Sequence, residues 1–185
     1  MSQFNIRKIL YHGTVSQIDK IDVSKGRGRK DFGKGFYIAV TKKQAIGMMH
    51  KKYREALHRS RNKKNFDIKE HLYEIILDEE YAKKLNIRVF ETADLEWLDF
   101  ILKCREDGGT PHNYDIVIGP TADDDTMLCL RTYWDGVYGE PNTGKAKQIL
   151  LDNLEPDNLG VQYFVGEQTI ADKLIVEFRE IEWRE

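Results

Sequence analysis

Strand-like runs in this chain gather toward its two ends, with helix-like runs between them, and that order limits the folds it can adopt. Ile9-Leu10-Tyr11 is a short apolar run ending at His12-Gly13-Thr14, and Phe36-Tyr37-Ile38-Ala39-Val40 is a β-branched and aromatic run of strand length. Thr41 is placed to cap a helix that keeps Ile46, Met49, Tyr53, Ala56 and Leu57 at helical spacing from Lys42 to Asn62. Leu72–Leu77 alternates as a strand. Leu95–Arg105 sets Leu95, Leu98, Ile101 and Leu102 on one helical face, closed by Gly108-Gly109. Tyr114–Gly119 reads as a strand stopped by Pro120. Helices are expected at Met127–Val137 and Ala146–Leu151, and the last strands at Val161–Val165 and Lys173–Phe178, with Gly166–Ala171 as their connection. Such an order does not alternate as βαβ units, so the expected class is α+β.

A chain of 185 residues suits a single domain spanning 1–185, and 41% hydrophobic residues exclude a disordered polymer. No apolar run reaches the roughly 20 residues of a membrane span, and MSQFNIRKIL lacks the apolar segment of a signal peptide, so a cytoplasmic protein without a membrane partner is expected. Cys104 and Cys129 lie in apolar stretches and read as small core hydrophobes. Charge is strongly polarised along the chain. Residues 1–64 hold 17 Lys or Arg against 4 Asp or Glu, giving +13, whereas residues 65–185 hold 12 against 27, giving −15. Much of the basic excess falls in Lys42–Lys64, with nine bases and the single acid Glu55. That stretch suits a polyanionic partner, and equally a solvated helix face beside acidic neighbours.

Several familiar chemistries fail on spacing. Gly28 to Lys34 fits the first seven positions of a GxxxxGK[ST] phosphate loop, but Gly35 stands where the hydroxyl should be and a strand-like run follows instead of a helix. A dinucleotide fingerprint at Gly26 and Gly28 meets Asp31 at its third glycine position. The five histidines form no paired metal-ligand motif, so no metal is expected. Asp123-Asp124-Asp125 reads as a solvated turn or a helix cap rather than a cation site.

Three segments remain, each placing a polar or aromatic group at a strand end: Leu10-Tyr11-His12-Gly13-Thr14, Asp31-Phe32-Gly33-Lys34-Gly35-Phe36-Tyr37, and Val161-Gln162-Tyr163-Phe164. Gly13 leaves room for a ligand to approach the main chain. In these motifs and their order, together with WLDFI and YDIVIGPTADD, the chain resembles the ADP-ribosyltransferase superfamily, in the branch of diphtheria toxin and the poly(ADP-ribose) polymerases. The likeness extends over most of residues 9–178 and is similar to small bacterial members of that superfamily.

The resemblance implies an ADP-ribosyltransferase-like fold: a split antiparallel β-sandwich of two small sheets, helices 42–61 and 95–105 on its flanks, and NAD as co-substrate in the cleft. It implies mono-ADP-ribosyl transfer to a protein or nucleic acid acceptor, in a toxin or defence effector, with nucleic acid contacting Lys42–Arg61. Cleavage at the ribose builds positive charge there, which a site must stabilise. The implied catalytic set is His12, Tyr37 and Gln162, and the implied NAD-binding set is His12, Gly13, Thr14, Phe36 and Tyr37. Gly13 would hold the carboxamide, Tyr37 would stack on the nicotinamide ring and His12 would bond a ribose hydroxyl, so that His12 and Tyr37 converge on one pocket. Gln162 stands where active relatives usually have glutamate and brings no charge. Glu167, Asp123 or Asp124 would supply a carboxylate instead, and Met48 would stand near a second ring-stacking position. Two other readings remain: an inactive module that binds NAD or another nucleotide, and an NAD-dependent RNA 2′-phosphotransferase using Arg7, Arg27 or Arg29.

Overall fold

A computed structural model describes residues 6–60, 67–122, 125–154 and 160–183. Its strands are β1 (Ile9–Thr14), β2 (Phe36–Ala39), β3 (His71–Leu77), β4 (Ile87–Val89), β5 (Ile116–Pro120), β6 (Val161–Val165) and β7 (Ile175–Ile181). The helices are α1 (Lys42–Ser60), α2 (Glu79–Ala82), α3 (Leu95–Asp107), α4 (Asp125–Trp134), α5 (Gly144–Asn153) and α6 (Gln168–Leu174). The protein is therefore of mixed α+β class. All seven strands join one sheet in the order β4-β5-β6-β2-β1-β3-β7.

Where two small sheets are expected, there is one sheet with a narrow join at its centre. β1 pairs with β3 at six register positions and β2 with β6 at four, yet β1 and β2 share only Tyr11–Ala39. Every pairing is antiparallel except β4–β5, which is parallel and bridged by α3. That crossover is a local βαβ unit, which the overall order of strand and helix signals conceals. A second difference lies before β7, where Gln168–Leu174 forms α6 instead of a plain connection.

Alternation along the strands sends side chains to two cores. On one face Phe32, Trp97, Leu98, Ile101, Val117, Leu150 and Phe164 pack under α3, α4 and α5. α1 covers the β1–β3 half of the same face through Ala45, Met49 and Leu72. The opposite face collects Leu10, Phe36, Ile38, Ile75, Ile118, Tyr163 and Val165 beneath the α2 and α6 side. Each fully buried aliphatic or aromatic side chain contributes roughly 1.5–3 kcal/mol, so helices on both faces can hold a sheet whose central ladder is one pair long.

Local chemistry sets the helix starts. Thr41 Oγ1 accepts from Gln44 N at 3.2 Å as α1 begins, and Asp94 does the same for Trp97 N at 2.9 Å in α3. Trp97 is fully buried and donates its indole N–H to the Pro120 carbonyl at 3.2 Å, which satisfies the one polar group of that side chain. Among the described residues no helix is long and apolar enough to cross a membrane.

Candidate functional site at the β1–β2 seam

The three motif strands lie side by side as β6-β2-β1, and the ladder between the last two stops early. Strand alternation explains what the gap contains. Leu77 N bonds the Lys8 carbonyl at 2.9 Å, so the main-chain groups of Tyr11 and Gly13, odd-numbered in β1, point the other way, toward β2. Val40 N bonds the Val161 carbonyl at 3.2 Å, so the groups of Tyr37 and Ala39 point toward β1. Past Tyr11–Ala39, the carbonyls that would continue the ladder meet side chains instead. Lys52 Nζ donates to the Gly13 carbonyl at 2.9 Å, and His12 Nδ1 lies 2.7 Å from the Tyr37 carbonyl.

A carbonyl only accepts, so His12 Nδ1 carries the proton and Nε2 is left as an acceptor. Burial, then the Lys52 charge, brings the imidazole down to about 3 despite the bond to Tyr37. Burial together with Lys30 and Arg27 brings Lys52 down to about 8. His12 is thus a neutral hydrogen-bonding group throughout the physiological range.

The unfolded chain binds a proton at His12 near pH 6.5 and the folded chain near pH 3. Stability is therefore full above about pH 6.5 and declines as pH falls toward 3. Between pH 7.5 and 5 wild type is expected to lose about 2 kcal/mol more than a His12→Asn variant. Urea unfolding at the two pH values measures this, and equal losses would contradict an imidazole held neutral by the fold.

The rings of His12 and Tyr37 do not face one another, which corrects the expectation of a shared ring pocket. Tyr11 pairs with Ala39, so Tyr37 shares a face with Gly13, while His12 belongs to the opposite face. The His12 ring accordingly stacks on buried Phe36, with centroids 4.7 Å apart. Tyr37, half-buried, packs edge-on against Phe164 at 5.2 Å. Its hydroxyl donates to the Gly33 carbonyl at 2.7 Å and accepts from Phe32 N at 3.0 Å, bracing the turn in which Gly33 adopts φ +95°. Burial, then the Asp31 charge, pushes the phenol well above its usual range. The two motif residues meet through a ring and a main-chain carbonyl.

Gln162 is buried on the Tyr37 side, level with Ala39 at the closed end of the seam. Its amide donates to Asp31 Oδ2 at 2.8 Å. The same oxygen accepts Ala122 N at 3.0 Å, and Oδ1 accepts Arg105 Nε at 3.1 Å and a second guanidinium nitrogen. Asp31, Arg105 and Gln162 form a satisfied buried network that does not include His12. Asp31 lies in the 31–37 motif segment, Arg105 at the end of a helical run and Lys52 within the basic stretch, and no local signal marks any of them as a site residue. Only their convergence in space distinguishes them.

Gly13 lacks a Cβ for a reason unrelated to a ligand, because the α1 backbone at Ala45 occupies that space. Thr14 is buried, and its Oγ1 accepts from Ser16 N at 3.2 Å. Met48 and Glu167 are exposed, and Asp123 and Asp124 lie outside the described residues. Arg29 is tied to the carbonyls of Arg105 and Glu106 at 3.1 and 2.7 Å. The basic stretch is helical over Lys42–Ser60; Arg61 lies outside the described residues.

No curated protein and no solved structure matches the chain. A family described as a protein of unknown function, DUF3990, matches residues 8–175, from just before β1 to the first residue of β7. With nearly its whole length matched, the chain belongs to the DUF3990 family.

Proposed function

We propose that this protein binds NAD at the β1–β2 seam and transfers a single ADP-ribose group to an acceptor. The observation that carries the reading is the early end of the β1–β2 ladder, which leaves the Gly13 carbonyl to Lys52 and the Tyr37 carbonyl to His12. A carboxamide needs one donor and one acceptor, and strand main chain turned into a gap supplies such a pair once Lys52 releases the Gly13 carbonyl. His12 Nε2, held as an acceptor, is suited to a ribose hydroxyl. In the transfer the bond between nicotinamide and ribose C1′ breaks, nicotinamide leaves with the bonding pair as a neutral molecule, and an acceptor heteroatom bonds to C1′ and gives up its proton.

A second reading has its own observation. Gln162 and Asp31 satisfy each other in a buried network that also holds Arg105, so the Asp31 carboxylate is engaged there and Gln162 brings no charge to a developing oxocarbenium. That favours a module that binds NAD without turning it over.

Calorimetry with NAD beside a nicotinamide-release assay separates the two. Transfer predicts binding, release, and a loss of about 10²-fold in release for His12→Ala, the scale of a lost oriented contact in the transition state. Binding without release leaves the second reading, and absence of NAD binding ends both.

A further inference from the structure

We infer that the acceptor is a single-stranded nucleic acid whose phosphodiesters lie in the cleft between the loop at Arg27 and the Arg54–His58 face of α1. The word acceptor rests on the transferase reading, whereas the binding itself does not. The cleft has a volume of 670 Å³ and is lined by Arg27, Lys51, Arg54, Glu55, His58 and Arg59. Among the described residues no aliphatic side chain and no Phe, Tyr or Trp lines it, unlike the core of a peptide-binding surface, where charged residues are depleted and Tyr, Trp and Phe enriched. Its one carboxylate, Glu55, is bound to Arg59 at 2.9 Å. No ion pair holds Arg27 or Arg54 among the described residues, and both are exposed.

Shape narrows the ligand further. Lys51, Arg54 and His58 recur at three- and four-residue spacing, so they form one row about 10 Å long at 1.5 Å per residue. A row of that length along a shallow, open cleft suits two or three successive phosphates of one strand. With no Phe, Tyr or Trp among the described lining residues to serve as a stacking platform, the contact is chiefly to the backbone and largely indifferent to sequence.

On α1 the lining residue Lys51 is followed directly by Lys52. Arg27, in its lining, is near enough to Lys52 to help lower that lysine's pKa, and Lys52 holds the Gly13 carbonyl. A strand seated along α1 would therefore pass beside the atoms that the proposed chemistry uses.

Fluorescence anisotropy with a labelled oligothymidylate of about twelve nucleotides, titrated without NAD at several salt concentrations, tests the cleft. For two to three phosphates at about 0.7 per contact, log affinity is expected to fall with log salt at a slope of about −2. Arg27→Ala and Arg54→Ala should each weaken binding and reduce the slope by about 0.7, with the fold checked by circular dichroism. Absence of salt-dependent binding, an unchanged slope in both variants, or equal displacement by polyglutamate would overturn the inference. A separate incubation with labelled NAD, the oligonucleotide and a lysate tests the acceptor assignment. Label on the oligonucleotide supports it, and label on protein alone overturns it; failure of NAD binding in calorimetry instead strikes the transferase reading and leaves the anisotropy result standing.

Discussion

Asp31→Ala is expected to lower the unfolding free energy by about 3–5 kcal/mol, the cost of leaving a buried guanidinium without its carboxylate. Asp31 and Arg105 are both buried, and Asp31 also holds Ala122 N and the Gln162 amide, so one side chain joins the 31–35 turn, α3, β6 and the segment after β5. Its removal strands donors on three of these at once. Urea unfolding of Asp31→Ala and of Asp31→Ala/Arg105→Leu gives the comparison. The double variant should recover much of the loss, because an apolar side chain in place of the cation removes the buried charge that has lost its Asp31 carboxylate. A single-variant loss under about 1 kcal/mol would mean that water reaches the pair, and the network would not be buried in the sense described.

Gly13→Ala is the second large effect, about 3 kcal/mol, at the upper end of overpacking costs. An added Cβ would lie 1.9 Å from the Ala45 carbonyl oxygen, 2.8 Å from its carbon and 2.9 Å from Met49 Cβ. Two of those atoms are helix backbone, so α1 as a whole must move. Met49 is fully buried beneath it. Gly47→Ala serves as the control, since an added Cβ there has nothing within 4 Å and a helix-interior glycine replaced by alanine should gain about 0.5–1 kcal/mol. Equal, small effects at the two positions would refute the close approach of α1 to β1. Lost NAD binding in Gly13→Ala would follow from displacement of α1 whatever Gly13 contacts, so that variant does not test the functional reading. His12→Ala does.

Much of the fold was legible because its signals are local. Thr41 and Asp94 stand where helices start, the apolar spacing of Leu95–Leu102 gives α3 its buried face, and β1, β2, β3 and β6 carry runs of strand length. The elements that escaped are short or uncapped, and at α2 the Asp78 cap stands before only one turn of helix. β4 is three residues long, α2 is four, and α6 begins at Glu167 with no side-chain cap. The candidate site was legible as a set of motifs and illegible as geometry. Gln162 looks like any polar strand residue until Asp31, 131 positions earlier, is found against it.

The amino-acid order alone determined that strands would carry the His-Gly-Thr, Gly-x-Gly-Phe-Tyr and Gln motifs and that a basic helix would follow the second. Only the tertiary structure decided which faces those strands present. Side-chain direction alternates with a period of two, so the single Tyr11–Ala39 pairing puts the His12 and Tyr37 rings on opposite faces and leaves a ring and a carbonyl to meet between them. Register depends on contacts far apart in the chain, and no local pattern encodes it.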